Sequence, residues 1–478
     1  MRNIKISAVL TSFLFIFAVF LSDLGSIRAE AAFTPDLNPY SEGYYMVNLD
    51  LGTVIAAKNE HERYYPASVT KIMTAIVALE HCADLSTTVK VTYEATNEFW
   101  TDDPNFSDAA TAGIAVGQTN LTMEDCLYAL MLSSACEVAN VIAYNVGGES
   151  IPNFVDMMNA KATELGCTDT HFSNPHGLWE KDNYSSAYDL FLIAQYAYEK
   201  VPKLMEICDA TEYVLPANIY NPNPYTITSY NSLIRNIADN PFYYEYARGI
   251  KTGSINVYWD ENGVEQPGFC NFVSTASMNG FTYMLVTMNA PYYEADGTRT
   301  QGHFKDHIAF YKWAFRTFDI LEVLNENTVI ASVAVDMGEN TDIAVLKPSS
   351  SFSTLLPMGL DLKDIKQVVT ITAEMNDNNK VVAPIEKGQV MGTLDLYLND
   401  EFLATRSLIS SQRIELSQFE YTMRMINSIF DQGWFKLCIA ALAVLIILDI
   451  VLNSVQKSRI AKLEARQKRR GSAGKAKW

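Results

Sequence analysis

The sequence contains few of the residues from which metal sites and disulfide frameworks are built. Its 478 residues include only 7 cysteines and 6 histidines, and they form neither a CxxC pair nor an HExxH motif. Zinc sites need such closely spaced ligands, so no zinc site is indicated. A chain of this length can bury a full core without cross-links, so we expect mostly free thiols.

Positive charge is scarce through most of the chain. The formal net charge is −19, of which residues 1–31 contribute +1 and residues 453–478 contribute +8, leaving −28 for residues 32–452. Phosphate recognition needs a basic surface, so nucleic-acid binding by this central part is disfavoured, and we expect no nucleic-acid partner. Disorder is excluded as well, because 49% of the residues are hydrophobic and the sequence has no low-complexity tract or internal repeat.

Long hydrophobic runs occur only near the two ends of the chain. Residues 1–31 begin with Arg2 and Lys5, continue with an apolar run and end on Ala-Glu-Ala. This pattern is typical of a signal peptide with a small-x-small cleavage site, so we expect the protein to be exported. The alternative, an uncleaved N-terminal anchor, is disfavoured because the run is short for a membrane-spanning helix.

The second apolar run, residues 434–452, is just long enough to span a bilayer. The tail after it, residues 453–478, holds nine Lys or Arg against one Glu, so the positive-inside rule predicts a cytoplasmic tail. A helix lying flat on the membrane is disfavoured, because residues 437–448 are apolar all round. We therefore expect a single-pass protein of the cell membrane whose bulk is extracytoplasmic.

Two domains are predicted between these runs. Residues 32–320 alternate strand-like and helix-like segments. Residues 44–57 are predicted to form a hairpin, residues 121–145 two helices that meet near Ser133-Ser134, and residues 303–318 a helix. Strand-like segments over 249–289, joined by turns that contain Asn-Gly, predict an antiparallel meander.

Residues 327–416 have short alternating runs separated by Gly, Pro and Asn-Asp turns, which predicts a separate all-β domain. Residues 417–433 are predicted to form a helix that connects this domain to the membrane segment.

The motif Ser68-Val-Thr-Lys71 opens a helix with an apolar face, predicted over residues 68–81. A serine hydroxyl is too weak an acid to attack a carbonyl unaided, and helix positions i and i+3 lie on the same face. We therefore predict Ser68 as a nucleophile and Lys71 as its base, with the Lys71 amine kept partly neutral by burial and a nearby cation. The helix N-terminus also places the Ser68 N–H where it can stabilise an oxyanion.

The S-x-x-K pattern alone is a weak signal. At ordinary composition a chain of this length contains roughly one or two such patterns by chance, and Ser454 with Lys457 also fits it. What distinguishes Ser68 is a second motif on a predicted strand, Lys-Thr-Gly at 251–253. The combination of the two motifs is a signature of β-lactamases and penicillin-binding proteins.

Each residue of the second motif suits a strand that lines a substrate pocket. Lys251 offers a positive charge to a substrate carboxylate and is the cation that we expect near Lys71. Thr252 adds a hydroxyl donor, and Gly253 lets backbone and substrate approach closely. The alternative reading is an ordinary Lys-Thr-Gly turn at a strand end, which the pairing with Ser68 disfavours.

Further segments extend this match along the chain: Asn-Pro-His-Gly-Leu at 174–178, Tyr-Ser-Ser-Ala-Tyr-Asp at 184–189 and Ala-Pro-Ile-Glu-Lys-Gly-Gln at 383–389. With the signal peptide and the terminal apolar run, the chain resembles the low-molecular-mass penicillin-binding proteins. These are serine-type D-alanyl-D-alanine carboxypeptidases of peptidase family S11, which include penicillin-binding protein 5. The resemblance implies an α+β, β-lactamase/transpeptidase-like fold, with an antiparallel sheet flanked by helices and the site between the sheet and a helical lobe.

The resemblance also implies the activity and several roles. The family removes the terminal D-alanine of peptidoglycan stem pentapeptides through an acyl-enzyme, needs no cofactor, and is acylated by β-lactams. By similarity, the Ser254 N–H would complete the oxyanion hole, and the substrate carboxylate would bind Lys251 and Thr252. His176, in the Asn-Pro-His-Gly-Leu segment, resembles a structural residue of the family.

The chain departs from the family at its second motif. Where the family has Ser-x-Asn, this sequence has Ser134-Ala-Cys136. Ser134 can still relay a proton to the leaving amine, but cysteine is a poor hydrogen-bond partner in the place of asparagine. Cys136 is assigned to substrate binding with a small buried structural residue as the alternative. A β-lactamase-like hydrolase and a catalytically silent wall-binding or regulatory homologue remain alternative hypotheses.

Overall fold

The computed structural model describes residues 35–107 and 109–473. The predicted signal peptide, residues 1–31, lies outside these residues. The chain divides into two compact units. The first comprises the described residues up to Ile320 together with Leu355–Gly359, and the second comprises Leu321–Thr354 and the described residues from Leu360 onward.

In the first unit, helices surround an antiparallel sheet. The helices are α1 (Lys71–His81), α2 (Tyr93–Thr96), α3 (Met123–Leu132), α4 (Cys136–Val146), α5 (Ile151–Glu164), α6 (Ala187–Lys200), α7 (Pro202–Asp209) and α8 (Gly302–Thr317). Shorter 3-10 turns cover Ala67–Thr70, Asn97–Trp100 and Pro104–Phe106. The strands are β1 (Gly43–Asn48), β2 (Thr53–Lys58), β3 (Glu212–Leu215), β4 (Tyr225–Thr228), β5 (Ala247–Trp259), β6 (Glu265–Met278) and β7 (Phe281–Pro291).

The main sheet has the strand order β2-β1-β7-β6-β5, and each pair of neighbours is antiparallel. The hairpin β1–β2 and the meander β5–β6–β7 coincide with the segments that the sequence predicts as strands. β5 carries residues 251–253 and forms one edge of the sheet. An edge strand has unpaired backbone N–H and C=O groups, so it can bind an extended peptide as an added strand.

Successive side chains along the strands point to opposite faces of the sheet, and both faces are buried. On β7, Tyr283 and Leu285 belong to a core cluster with Phe310 of α8. Their neighbours Met284 and Val286 belong to a second cluster that includes α1 and the other helices of the lobe. Because successive side chains of a strand point to opposite faces, the sheet lies between α8 and the helical lobe. The predicted α+β fold, an antiparallel sheet flanked by helices, is confirmed.

A sharp break separates two helices of the lobe, α3 and α4, at the place where the sequence predicts that two helices meet. A capping box starts α3: Thr122 Oγ1 accepts from the Asp125 N–H at 3.1 Å, and Asp125 Oδ2 accepts from the Thr122 N–H at 2.8 Å. The helix ends at Leu132, and α4 begins at Cys136. The short connection contains Ser134, whose φ of 59° is left-handed.

The second unit is built mainly of strands. The strands that follow α8 are β8 (Phe318–Leu324), β9 (Ala331–Asp336), β10 (Ile343–Pro348), β11 (Phe352–Pro357), β12 (Lys366–Ile371), β13 (Val381–Val382), β14 (Val390–Leu398) and β15 (Glu401–Ser410), with a 3-10 turn at Leu362–Asp364. The sheet of the second unit has the order β12-β14-β15-β10-β9-β13, antiparallel except for the parallel pair β9–β13. The all-β character predicted for residues 327–416 agrees with this sheet.

Two helices follow the strands, α9 (Gln418–Asp431) and α10 (Gly433–Ala473). Ser417 caps α9, because its side chain accepts a hydrogen bond from the Glu420 N–H at 3.3 Å. Within the described residues, Gly433–Gln467 of α10 is the one helical stretch long and apolar enough to cross a membrane. The apolar run predicted at 434–452 lies inside this stretch.

Candidate active site

Ser68 and Lys71 lie one above the other on a tight turn. Residues 67–70 form a 3-10 turn that continues directly into α1 at Lys71. A 3-10 turn has about three residues per turn, so side chains at i and i+3 eclipse. Lys71 Nζ is 2.9 Å from Ser68 Oγ. The sequence predicts a regular helix from Ser68, and the tighter turn found here aligns the two side chains more directly.

The Lys71 amine is fully buried and has two other contacts. Its Nζ donates to the His176 backbone carbonyl at 2.6 Å and lies 3.4 Å from Cys136 Sγ. Burial lowers the pKa of Lys71 below 10.5, and the opposing effects of Cys136 and Glu137 are smaller. A neutral amine is therefore available at a lower pH than for a lysine in water, which is what a general base requires.

Lys251 lies close enough to Lys71 for the two charges to interact. It is 1% exposed, and its Nζ donates to the Thr252 carbonyl at 2.8 Å. Burial, and after it the charge of Lys71, lower the pKa of Lys251 to about 7. Repulsion between two ammonium groups acts on both partners, so the pair favours a state in which one amine is neutral.

The glycine of the Lys-Thr-Gly motif lets β5 pack against the turn that carries Ser68. A Cβ placed on Gly253 would lie 2.9 Å from the Val69 nitrogen and 3.1 Å from the Pro66 carbonyl oxygen. Those distances are shorter than van der Waals contact, so a side chain here would push strand and turn apart. Gly253 thus sets the distance between the strand and the predicted nucleophile.

Gly177 makes an even closer approach to the same turn from the other side. Its φ is +80°, and a Cβ on it would lie 1.9 Å from the Ala67 carbonyl oxygen. The Gly177 N–H donates to Asn174 Oδ1 at 2.6 Å, which holds the 174–178 loop in place. The resemblance assigns this loop a structural role, and the contact gives that role a physical basis.

Gly177→Ala is expected to destabilise the protein and displace the turn at Ser68. The left-handed conformation and the overlap with Ala67 should together cost about 2–4 kcal/mol. Gly148→Ala is the matched control, because Gly148 is also left-handed, at φ +71°, but a Cβ there meets nothing within 4 Å. Thermal unfolding of both variants, with the rate of acylation by a fluorescent penicillin, measures the difference. Equal effects at the two positions would contradict the assigned packing role.

A cleft of about 410 Å³ brings most of the predicted residues together. Lys71 and Lys251 are not among its lining residues and lie buried beneath them. The predicted residues that line it are Ser68, Ser134, Cys136, Thr252, Gly253 and Ser254. Sequence reasoning missed other lining residues, among them Arg235, Arg299, Gln301 and His303.

Arg235 and Arg299 add positive charge to the cleft. Arg235 lies in the connection between β4 and β5, and Arg299 lies just before α8 with its guanidinium 4.6 Å from the centroid of the Tyr292 ring. Within the described part of the chain, no ion pair is formed by either residue. Both are single arginines in connecting segments, so no motif identifies them. The remaining signal is that Arg299 lies a few residues before the helix predicted at 303–318.

Ser134 and Cys136 reach the cleft from the break between α3 and α4. The Cys136 N–H donates to the Ala110 carbonyl at 2.7 Å, which fixes the start of α4. Burial raises the pKa of the Cys136 thiol, although Lys71 opposes the change. The thiol is therefore protonated at neutral pH and contacts Lys71 as a weak hydrogen-bond partner.

In residues 35–107 and 109–473, no group of three or more His, Cys, Asp or Glu side chains could hold a metal ion. The seven cysteines all fall in this part of the chain and are free thiols. Ser454 and Lys457, the second S-x-x-K pattern, lie on α10 in the other unit.

Comparison with known families assigns both units. Residues 30–292 match the D-alanyl-D-alanine carboxypeptidase family. Residues 318–416 match the C-terminal domain of penicillin-binding protein 5. The first match alone covers more than half of the chain.

Curated relatives match over most of their length. D-alanyl-D-alanine carboxypeptidase DacF of Bacillus subtilis is 26% identical over 388 residues, which cover 81% of this chain and 89% of the relative. DacA of Escherichia coli, also a D-alanyl-D-alanine carboxypeptidase, is 27% identical over 410 residues, which cover 85% of this chain and 90% of the relative.

Solved structures share the fold. Penicillin-binding protein 5 from Haemophilus influenzae aligns with a TM-score of 0.55 at 22% identity, covering 80% of this chain and 100% of that one. The carboxypeptidase DacD from Francisella tularensis aligns with a TM-score of 0.58 at 19% identity, covering 82% of this chain and 97% of that one. The resemblance predicted from the motifs is confirmed, and the chain belongs to the D-alanyl-D-alanine carboxypeptidase family, as a serine carboxypeptidase of the penicillin-binding protein type.

Proposed function

We propose that this protein removes the terminal D-alanine of peptidoglycan stem pentapeptides through an acyl-enzyme on Ser68. The observation that carries the proposal is the distance of 2.9 Å between Lys71 Nζ and Ser68 Oγ, at a cleft bordered by Thr252. A buried lysine amine with a lowered pKa can take the proton of a serine hydroxyl that lies within hydrogen-bond distance.

Acylation begins with this proton transfer. As Lys71 Nζ accepts the proton, Ser68 Oγ attacks the carbonyl carbon of the penultimate D-alanine. The carbonyl oxygen becomes an oxyanion, which the backbone N–H groups of Ser68 and Ser254 stabilise. The substrate backbone lies along the edge of β5 as an added strand, which aligns its carbonyl with both N–H groups.

The intermediate then collapses and releases D-alanine. Ser134 gives its hydroxyl proton to the departing amine and takes in return the proton that Lys71 removed from Ser68, so the C–N bond breaks without forming an amide anion and Lys71 is neutral again. The D-alanine carboxylate binds the Thr252 hydroxyl, with the positive charges of Lys251 and Arg299 nearby. Water next attacks the ester carbonyl as Lys71 takes a proton from it, and Lys71 gives that proton to Ser68 Oγ when the acyl group leaves. β-Lactams acylate Ser68 by the same first step.

The location follows from the two ends of the chain. Residues 1–31 direct export, and α10 crosses the membrane once through its apolar part. The basic residues of 453–478 keep the tail in the cytoplasm, beside anionic lipid. The sheets of both units then lie outside the cytoplasm, where peptidoglycan is found.

The direct test is product analysis with the full-length protein in detergent. An N-acetylated pentapeptide ending in D-Ala-D-Ala should lose one D-alanine, measured by mass spectrometry, and a fluorescent penicillin should label Ser68. A folded protein that releases no D-alanine would instead be a silent homologue. Rapid turnover of penicillin, without a lasting label, would indicate a β-lactamase.

A further inference from the structure

His176 connects the predicted base to a carboxylate that belongs to none of the motifs. Its backbone carbonyl accepts from Lys71 Nζ at 2.6 Å, and its ring Nδ1 accepts from the Leu178 N–H at 3.1 Å. Burial lowers the pKa of His176, although Glu98 opposes the change, so the ring is neutral at pH 7. Because Nδ1 is an acceptor, the single ring proton is on Nε2.

Glu98 accepts the hydrogen bond from that proton. It lies on the 3-10 turn Asn97–Trp100, with Oε1 2.8 Å from His176 Nε2. The same oxygen accepts from Asn140 Nδ2 at 2.7 Å. Asn140 is on α4, one helical turn after Cys136. The Glu98 carboxylate therefore joins the two segments that contact the Lys71 amine, the 174–178 loop and the start of α4.

These contacts determine where the lone pair of a neutral Lys71 amine points. A neutral amine has two N–H groups and one lone pair. With its N–H groups directed at the His176 carbonyl, 2.6 Å away, and at Cys136 Sγ, 3.4 Å away, the lone pair faces Ser68 Oγ at 2.9 Å. That is the direction in which it can take the hydroxyl proton. If the His176 carbonyl shifts, the amine can rotate and its lone pair no longer points at Ser68 Oγ.

We propose that Glu98 is a positioning residue for acylation: by holding His176 Nε2–H, it fixes the carbonyl that aims the Lys71 lone pair at Ser68. The inference rests on the proposed function, because it requires Ser68 as nucleophile and Lys71 as base. Glu98 acts through His176 and not on the reacting atoms, much as outer partners orient the ligands of a metal site.

Other charged groups nearby offer a control for simple electrostatics. Glu180 is exposed and interacts with Glu98 through charge; its side chain also bonds Asn174, but it makes no hydrogen bond to His176. Glu180→Gln removes the charge, keeps an oxygen for Asn174 and leaves the ring contact intact. The titratable groups that face Lys71 or Glu98 are Lys251, Cys136, Glu137, His176 and Glu180.

The test measures the rate of Ser68 acylation by a fluorescent penicillin against pH, in the full-length protein in detergent. Glu98→Ala should lower the maximal acylation rate, reached at high pH, about tenfold, which is part of what a well-placed base contributes. It should also shift the midpoint of the rise in rate with pH to lower pH, because a carbonyl that accepts from Lys71 favours the ammonium form and its loss lowers the Lys71 pKa. A merely structural role would lower the maximal rate and leave the midpoint unchanged.

Two further variants complete the comparison. Glu98→Gln keeps an oxygen acceptor for His176 Nε2–H and should remain within about threefold of the wild type, since the hydrogen bond persists. Glu180→Gln should match the wild type, because it changes only the charge. Should Glu98→Ala not fold, Glu98→Ser, too short to reach the ring, replaces it. The proposal would be overturned if the midpoint of the pH–rate profile did not shift in Glu98→Ala, or if Glu98→Gln were as slow as Glu98→Ala. A wild type that penicillin does not acylate at Ser68 would refute the proposed function instead.

Discussion

Ser68→Ala is expected to abolish both covalent labelling by penicillin and release of D-alanine. The substitution removes the one oxygen that forms the acyl-enzyme, and no neighbouring group replaces it as a nucleophile in the proposed mechanism. Loss of a nucleophile of this kind lowers turnover by about 10⁴-fold or more. Labelling on a gel and D-alanine release, measured on the full-length protein in detergent, report the two effects separately.

The control for this variant is supplied by the chain itself. Ser454→Ala alters the second S-x-x-K pattern, on α10, and should leave labelling and release unchanged. Ser68→Ala should remain folded, because Lys71 keeps its contact with the His176 carbonyl at 2.6 Å and only one hydrogen bond, worth about 1 kcal/mol, is lost. Persistent labelling of a folded Ser68→Ala protein would show that another residue is the nucleophile.

Local patterns account for the parts of the fold that the sequence predicts well. The β5–β6–β7 meander is visible because β-rich runs alternate with Asn-Gly turns, and both signals are confined to neighbouring residues. The break between α3 and α4 is visible for the same reason, since Ser133 and Ser134 interrupt a helical apolar pattern. Segments with such local signals need no knowledge of the partner against which they pack.

Contacts between distant segments escape this kind of reasoning. The close approach of Gly177 to Ala67, which leaves no room for a Cβ, joins a loop to a 3-10 turn about a hundred positions away, and nothing in the pattern of either segment specifies it. Glu98 is another case: its place depends on His176 and Asn140, which come from different elements. The motifs predict which residue types the chemistry needs, and the tertiary fold decides what holds them in position.

The motifs also do not predict how deeply each side chain is buried. The Lys-Thr-Gly motif predicts that Lys251 binds the substrate carboxylate. The structure places the Lys251 amine beneath the cleft, 1% exposed, where it donates to the Thr252 carbonyl at 2.8 Å. Strand alternation offers a reason, because Thr252 and Ser254 face the cleft and Lys251 lies between strand and lobe. The positive charges that line the cleft come instead from Arg235 and Arg299.

Lys71→Arg is expected to slow acylation about 10²–10⁴-fold, which is the usual contribution of a general base. A guanidinium fills a similar volume and keeps the positive charge, but its pKa stays above about 12, so it has no lone pair to offer. In the wild type, acylation should rise with pH through the lowered pKa of Lys71, since burial favours the neutral amine that takes the serine proton. The variant should lose this rise together with the rate.

The matched control is Lys161→Arg, a second exchange at a mostly buried lysine. Lys161 forms ion pairs with Glu80 at 2.9 Å and Glu164 at 3.1 Å, and its side chain is 10% exposed. An arginine can keep both pairs, so acylation and its pH dependence should stay as in the wild type. If Lys71→Arg were acylated at a rate within tenfold of wild type, Lys71 would not be the base. Lys251, whose pKa is lowered to about 7 by burial and the charge of Lys71, would then be the other buried amine beneath the cleft that can take that role.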